Sequence, residues 1–95
     1  MNGFDLEVDL RRMLASARLR LAGYEDVVED LEKEELEHDL KEYREILERE
    51  VAPVVRRALL ARDEKLLLLA RQIEEVYERI LELIKEKLAD ERSGR

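Results

Sequence analysis

The chain has 95 residues, enough for one small domain or for a subunit that needs company. Apolar and charged residues each make up 45% of it, Cys and Trp are absent, and the formal net charge is −7. There is no Thr, Ser occurs only at 16 and 93, Gly only at 3, 23 and 94, and the one Pro is Pro53. That supply of turn residues argues against an all-β or α/β fold, and the lack of Cys rules out disulfide scaffolds and thiolate metal sites. No 18-residue apolar run is present and the start carries no charged-then-apolar leader, so the expectation is a cytoplasmic protein without a membrane span. Abundant Glu and Arg with depleted Asn, Gln, Ser and Thr match the composition of heat-stable proteins. The fold class expected is all-α, in one helical domain over residues 1–95.

A first helix is predicted over 5–22. Its acids (Asp5, Glu7, Asp9) precede its bases (Arg11, Arg12, Arg18, Arg20), the order the helix dipole favours. Leu6, Leu10, Met13, Leu14, Ala17 and Leu21 form one stripe, and Gly23 is read as the left-handed stop. Glu25 and Asp26 then suit the first turn of a second helix.

The second helix is predicted over 25–61, kinked at Pro53. A boundary at Pro53 is the alternative, but it would leave Glu48 and Glu50 at a C-terminus and Arg56 and Arg57 at an N-terminus, against the dipole. A break at Arg62/Asp63 puts the arginines last and offers Asp63 as N-cap of a third helix over 64–91. That third helix carries the plainest stripe: Leu66, Leu69, Ile73, Val76, Tyr77, Ile80, Ile84 and Leu88. Residues 92–95 are expected to fray. Glu29–Lys33, Glu37–Lys41, Glu45–Arg49 and Glu75–Arg79 stand at the favourable i,i+4 order on outer faces.

Three arguments predict assembly. The second helix would be roughly 55 Å long and the third roughly 42 Å, against a radius of gyration of about 12–13 Å for a compact chain of this size. Along the second helix, Tyr24, Val27, Val28 and Leu31 point about 140° away from Leu36, Leu40, Tyr43, Leu47, Val51, Val54 and Ala58, so one chain cannot easily wrap both faces. Lastly, Leu59, Leu60, Leu66, Leu67, Leu68 and Leu69 gather at the turn between helices, an apolar knot of roughly several hundred Å², the size of an interaction surface. An antiparallel bundle completed by oligomerisation follows, a two-fold dimer being simplest.

Charge is unevenly placed: residues 24–50 sum to −9 and residues 51–62 to +3. An acidic chain repels phosphate, so nucleic acid is not an expected partner. Arg56, Arg57 and Arg62 are read as helix-terminal charges that pair with the acidic stretch.

Chemistry-bearing motifs are sparse. His38, the one histidine, closes the step Glu35-Leu36-Glu37-His38. Glu-x-x-His steps with further carboxylates build the di-iron or di-manganese centre of ferritin-like bundles, and the step resembles theirs. The resemblance implies a half-site of Glu35 and His38 with Glu7 or Asp9 from the first helix, completed in a dimer and holding iron or manganese. Glu74-Glu75-Val76-Tyr77-Glu78 looks like the first magnesium motif of the all-helical nucleoside-triphosphate pyrophosphohydrolases of the MazG type. Their second motif, E-x-x-D, has as its nearest counterpart Lys87-Leu88-Ala89-Asp90, with Lys where Glu belongs. Ser16 and Ser93 have no His nearby in sequence, and no glycine-rich phosphate loop exists. Tyr24, Tyr43, Tyr77 and Met13 read as core. The function expected is therefore that of a non-enzymatic assembly or adaptor protein without a cofactor. The alternatives are the di-metal carboxylate protein and a subunit of a larger hetero-complex.

Overall fold

The computed structural model describes residues 3–92, with side chains from residue 6 to residue 91. The chain is nearly all helical: α1 spans Gly3–Val27, α2 Lys33–Ile46, α3 Ala52–Ala61 and α4 Glu64–Arg92. A 3₁₀ turn, Val28–Asp30, follows α1, and a π turn, Leu47–Val51, joins α2 to α3, so 33–61 forms one continuous rod. Lys65 meets Glu7 (3.0 Å) at one end and Lys87 meets Glu29 (3.3 Å) at the other, which makes α1 and α4 parallel. The rod returns between them, and the result is an up-down-up arrangement of three helices. It is elongated, 52 × 20 × 17 Å with a radius of gyration of 15.2 Å. Among the described residues no helix is long and apolar enough to cross a membrane. Of the tail expected to fray, Arg92 continues α4, and residues 93–95 lie outside the described residues.

The first break falls at Leu31 and Glu32, not at Gly23. Gly23 is an exposed residue inside α1 with nothing near the position of a Cβ. The helix continues because the stripe does: Leu10, Leu14, Ala17, Leu21, Tyr24 and Val28 keep the i+3/i+4 spacing across the glycine, and all but the half-buried Leu21 are buried. Burying a side chain the size of Val is worth about 1.5–3 kcal/mol. Gly in a helix costs about 1 kcal/mol, and exposed acids in a last turn, here Glu25 and Asp26, cost about 0.3–1 kcal/mol each. Packing therefore overrides both local signals. At the new boundary Glu32 is extended (φ −85°, ψ 164°), and the Glu35 carboxylate reaches back to accept its N–H at 2.9 Å, one arm of a capping box.

This relocation removes one argument for assembly. The two apolar faces assigned to a single long helix belong to different helices: Tyr24 and Val28 to the α1 segment, Leu36, Val51 and Ala58 to the rod. All five join one contiguous core with α4. One chain thus wraps both.

Pro53 does not end the rod. Proline has no N–H to give and its ring crowds the carbonyl four residues back. The chain answers with the wider π turn, in which the Ala52 N–H donates to the Leu47 carbonyl. The rod stops at Arg62, the one described non-glycine residue with positive φ (55°). Asp63 then caps α4, its Oδ1 accepting the N–H groups of Lys65 (2.9 Å) and Leu66 (3.3 Å).

α4 is the wall on which everything else packs; α1 and both parts of the rod lie along it. Of its predicted stripe, Leu66, Leu69, Ile73, Tyr77, Ile80, Ile84 and Leu88 are buried and Val76 is half-buried, with Ala70 and Leu81 added. The expected i,i+4 pairing of Arg79 with Glu75 is replaced by contacts to Glu82 (3.1 Å) and Glu86 (3.7 Å). Glu29 and Lys33, expected on one helix, are parted by the break.

Two substitutions check the backbone. Gly23→Ala should stabilise the protein by about 0.5–1 kcal/mol, since the helix runs through that position. A left-handed stop there would make the same change destabilising. Arg62→Gly should also stabilise, by a similar amount, because a left-handed residue with a Cβ is disfavoured. Thermal melts of both variants read the sign directly.

Candidate functional site

The turn between α3 and α4 forms one tip of the molecule, and the leucines expected there divide into two groups. Leu66 and Leu69 point inward and are buried in the chain's own core, so they do not belong to an exposed surface. Leu67 is half-buried, while Leu59 (49% exposed), Leu68 (60%) and Leu60 (82%) face outward. The division follows from a step of 100° per residue: Leu66 and Leu69 straddle the line toward α1 and the rod, and each further step turns Leu67 and then Leu68 away. Glu64, Leu67, Leu68 and Arg71 line a shallow hollow of about 280 Å³ on the outer face of α4. Arg56, Arg57, Arg62 and Lys65 are the exposed bases nearest the leucines in sequence, and Asp63 and Glu64 the acids at the same turn. Lys65 is held by Glu7, whose carboxyl sits below the usual carboxylate range because it accepts from Lys65 and from Arg11 (2.9 Å).

The metal half-site is not assembled. Glu7 lies at the tip, paired with Lys65 and Arg11, whereas Glu35 and His38 lie near the opposite end of the rod. Glu35 is engaged as a cap, and His38, 72% exposed, meets Glu42 at 3.2 Å. The expectation fails because it carries helical angles from Val28 and Leu31 through to Glu35 and His38, across a break in the chain. Asp9 is exposed on α1, also toward the tip. Among the described residues no three His, Asp or Glu side chains converge as a metal would require. Glu35, His38 and Glu7 therefore do not form one donor set within the chain. The magnesium-type motif fares no better: Glu75 and Glu78 are exposed, Tyr77 faces the core, and Asp90 lies about 20 Å further along the same helix. Lys87 is taken up by Glu29 and Glu91.

The stripes place the three tyrosines only as core; the structure gathers them into a cluster. Each helix contributes one ring: Tyr24 and Tyr43 meet edge to face at 5.9 Å, and Tyr43 and Tyr77 are tilted at 6.1 Å. The Tyr24 hydroxyl donates to Asp39 at 2.9 Å, tying α1 to α2. Burial, then the hydrogen bond and charge of Asp39, push the Tyr24 phenol well above its ordinary range; burial pushes Tyr43 the same way, opposed by Arg20. Beside Tyr43 an open cleft of about 420 Å³ runs between Arg20 of α1 and Ile46 and Arg49 of the rod, with Glu42, Glu45 and Glu50 on its walls. Its mixed charges select no ligand class. Which rings meet depends on the break at Leu31 and Glu32, and no local signal marks it.

Comparison with known proteins gives no match to a family model, a curated protein or a solved structure.

A raised phenol has a defined consequence. Its stabilising effect is complete below the unfolded-state value near 10 and is lost as pH rises through the folded-state value above it. Stability should fall on alkaline titration beyond pH ~10, and Tyr24→Phe should flatten that fall while losing about 0.5–1.5 kcal/mol at neutral pH with the hydrogen bond to Asp39. Spectrophotometric titration of phenolate should show the latest-ionising component missing from the variant.

Proposed function

We propose that this chain is a non-enzymatic assembly module, a three-helix rod whose leucine-bearing tip holds it to another copy of itself. The observation that carries this reading is the outward group Leu59, Leu60, Leu67 and Leu68. In a chain that buries Leu wherever its helices meet, Leu59, Leu60 and Leu68 are exposed and Leu67 half-buried at one tip, and exposed apolar groups of this kind mark interaction surfaces. Away from the tip, Leu19 and Val27 are the other exposed large apolar residues among those described, and acids dominate 24–50. Leu66 and Leu69 serve the fold and only support the surface from beneath.

Light scattering over a concentration series tests it. The wild-type mass should rise toward twice that of one chain at micromolar concentration. Leu68→Asp, at a position the core does not use, should return it to one chain with an unchanged helical circular dichroism spectrum. A wild-type mass of one chain throughout the series would overturn the reading.

A further inference from the structure

The hollow on α4 carries more information than its apolar character. Its lining residues, Glu64, Leu67, Leu68 and Arg71, stand at i, i+3, i+4 and i+7. Four residues at that spacing make the hole that receives one side chain of a facing helix when helices interlock. Along about 10 Å of helix the order is acid, Leu, Leu, base. Reversed, that order is its own complement.

Resting on the self-association proposed above, we infer that two copies meet through antiparallel α4 N-terminal turns about a two-fold axis lying between Leu67 and Leu68. In that register Leu67 faces Leu68 of the second copy, and Glu64 faces its Arg71. Symmetry repeats both contacts. Each Leu68 enters the hollow of the other copy. A parallel pairing would set Glu64 on Glu64 and Arg71 on Arg71; an antiparallel pairing shifted by one turn would set Glu64 on Glu75 in one direction and leave both Glu64 and Arg71 opposite leucines in the other. Neither Glu64 nor Arg71 has an ion-pair partner within the chain among the described residues, so both charges are available to the second copy. Leu59, as far before the turn as Leu67 is after it, widens the contact from α3.

Charge reversal tests the register in the full-length chain, by sedimentation velocity with circular dichroism as the check on folding. Glu64→Arg alone sets one guanidinium against another at both symmetry-related contacts, and Arg71→Glu alone sets one carboxylate against another at both. Each should weaken the dimer at least tenfold. An equimolar mixture of the two single variants should recover affinity as a heterodimer, in which one contact joins two newly introduced charges of opposite sign and the other keeps the native pair. The double variant should recover it as a homodimer with both pairs reversed. Recovery on mixing cannot come from misfolded chains. Single variants that dimerise as the wild type does, or that weaken without recovery on mixing, would overturn this register while leaving self-association standing. A wild-type chain that stays single would remove both, and would direct the tip to a different protein.

Discussion

Two separate helices must bury their apolar stripes against one neighbour, and α4 is the element able to take both. Its apolar positions extend from Leu69 on one flank through Ile73, Tyr77 and Ile80 to Leu81 on the other, wider than one partner needs. α1 uses one side and the rod the other, and Glu7–Lys65 and Glu29–Lys87 mark the two ends of the α1 contact. The rod is covered less completely: Leu36, Val51 and Ala58 are buried, but Leu40, Tyr43 and Leu47 are only partly so. Three helices of nearly equal length set side by side make a slim body, in which every residue pointing away from α4 and its partners meets solvent.

Much of this is legible in the sequence, and the exceptions have a common cause. α4 and its cap at Asp63 follow from strong periodicity and from a charge order that agrees with it. At Gly23 the signals conflict: glycine and two acids say stop, while Tyr24 and Val28 continue the spacing of Leu14, Ala17 and Leu21. Local preferences of about a kcal/mol or less lose to burial. The true boundary is hidden because Glu32 is a poor candidate for an N-cap by composition; Ser, Thr, Asp or Asn would have announced it. Pro53 shows a third case, where a breaker is absorbed by a wider turn and the helix goes on.

The candidate surface is half legible. Four consecutive leucines cannot all face inward from one helix, so some outward exposure at the tip is fixed by geometry. Which of them turn outward depends on where α1 and the rod dock, and Leu66 and Leu69 prove to be core. The metal reading fails at the same boundary that misplaces the end of α1. Glu35 and His38 keep their places on one helix, yet the first helix that was to complete the set brings Glu7 to the far end of the molecule.

The tyrosine cluster has a consequence for how this protein is watched. With no Trp in the chain, near-ultraviolet optical activity arises chiefly from three tyrosine rings, one each from α1, α2 and α4, with Tyr43 at 5.9 Å from Tyr24 and 6.1 Å from Tyr77. That signal depends on all three helices staying together, and Tyr77 sits about 14 Å along α4 from Leu68. Ellipticity in that region is thus a gauge of whether the three helices stay packed, whereas hydrodynamic size in the folded state reports association.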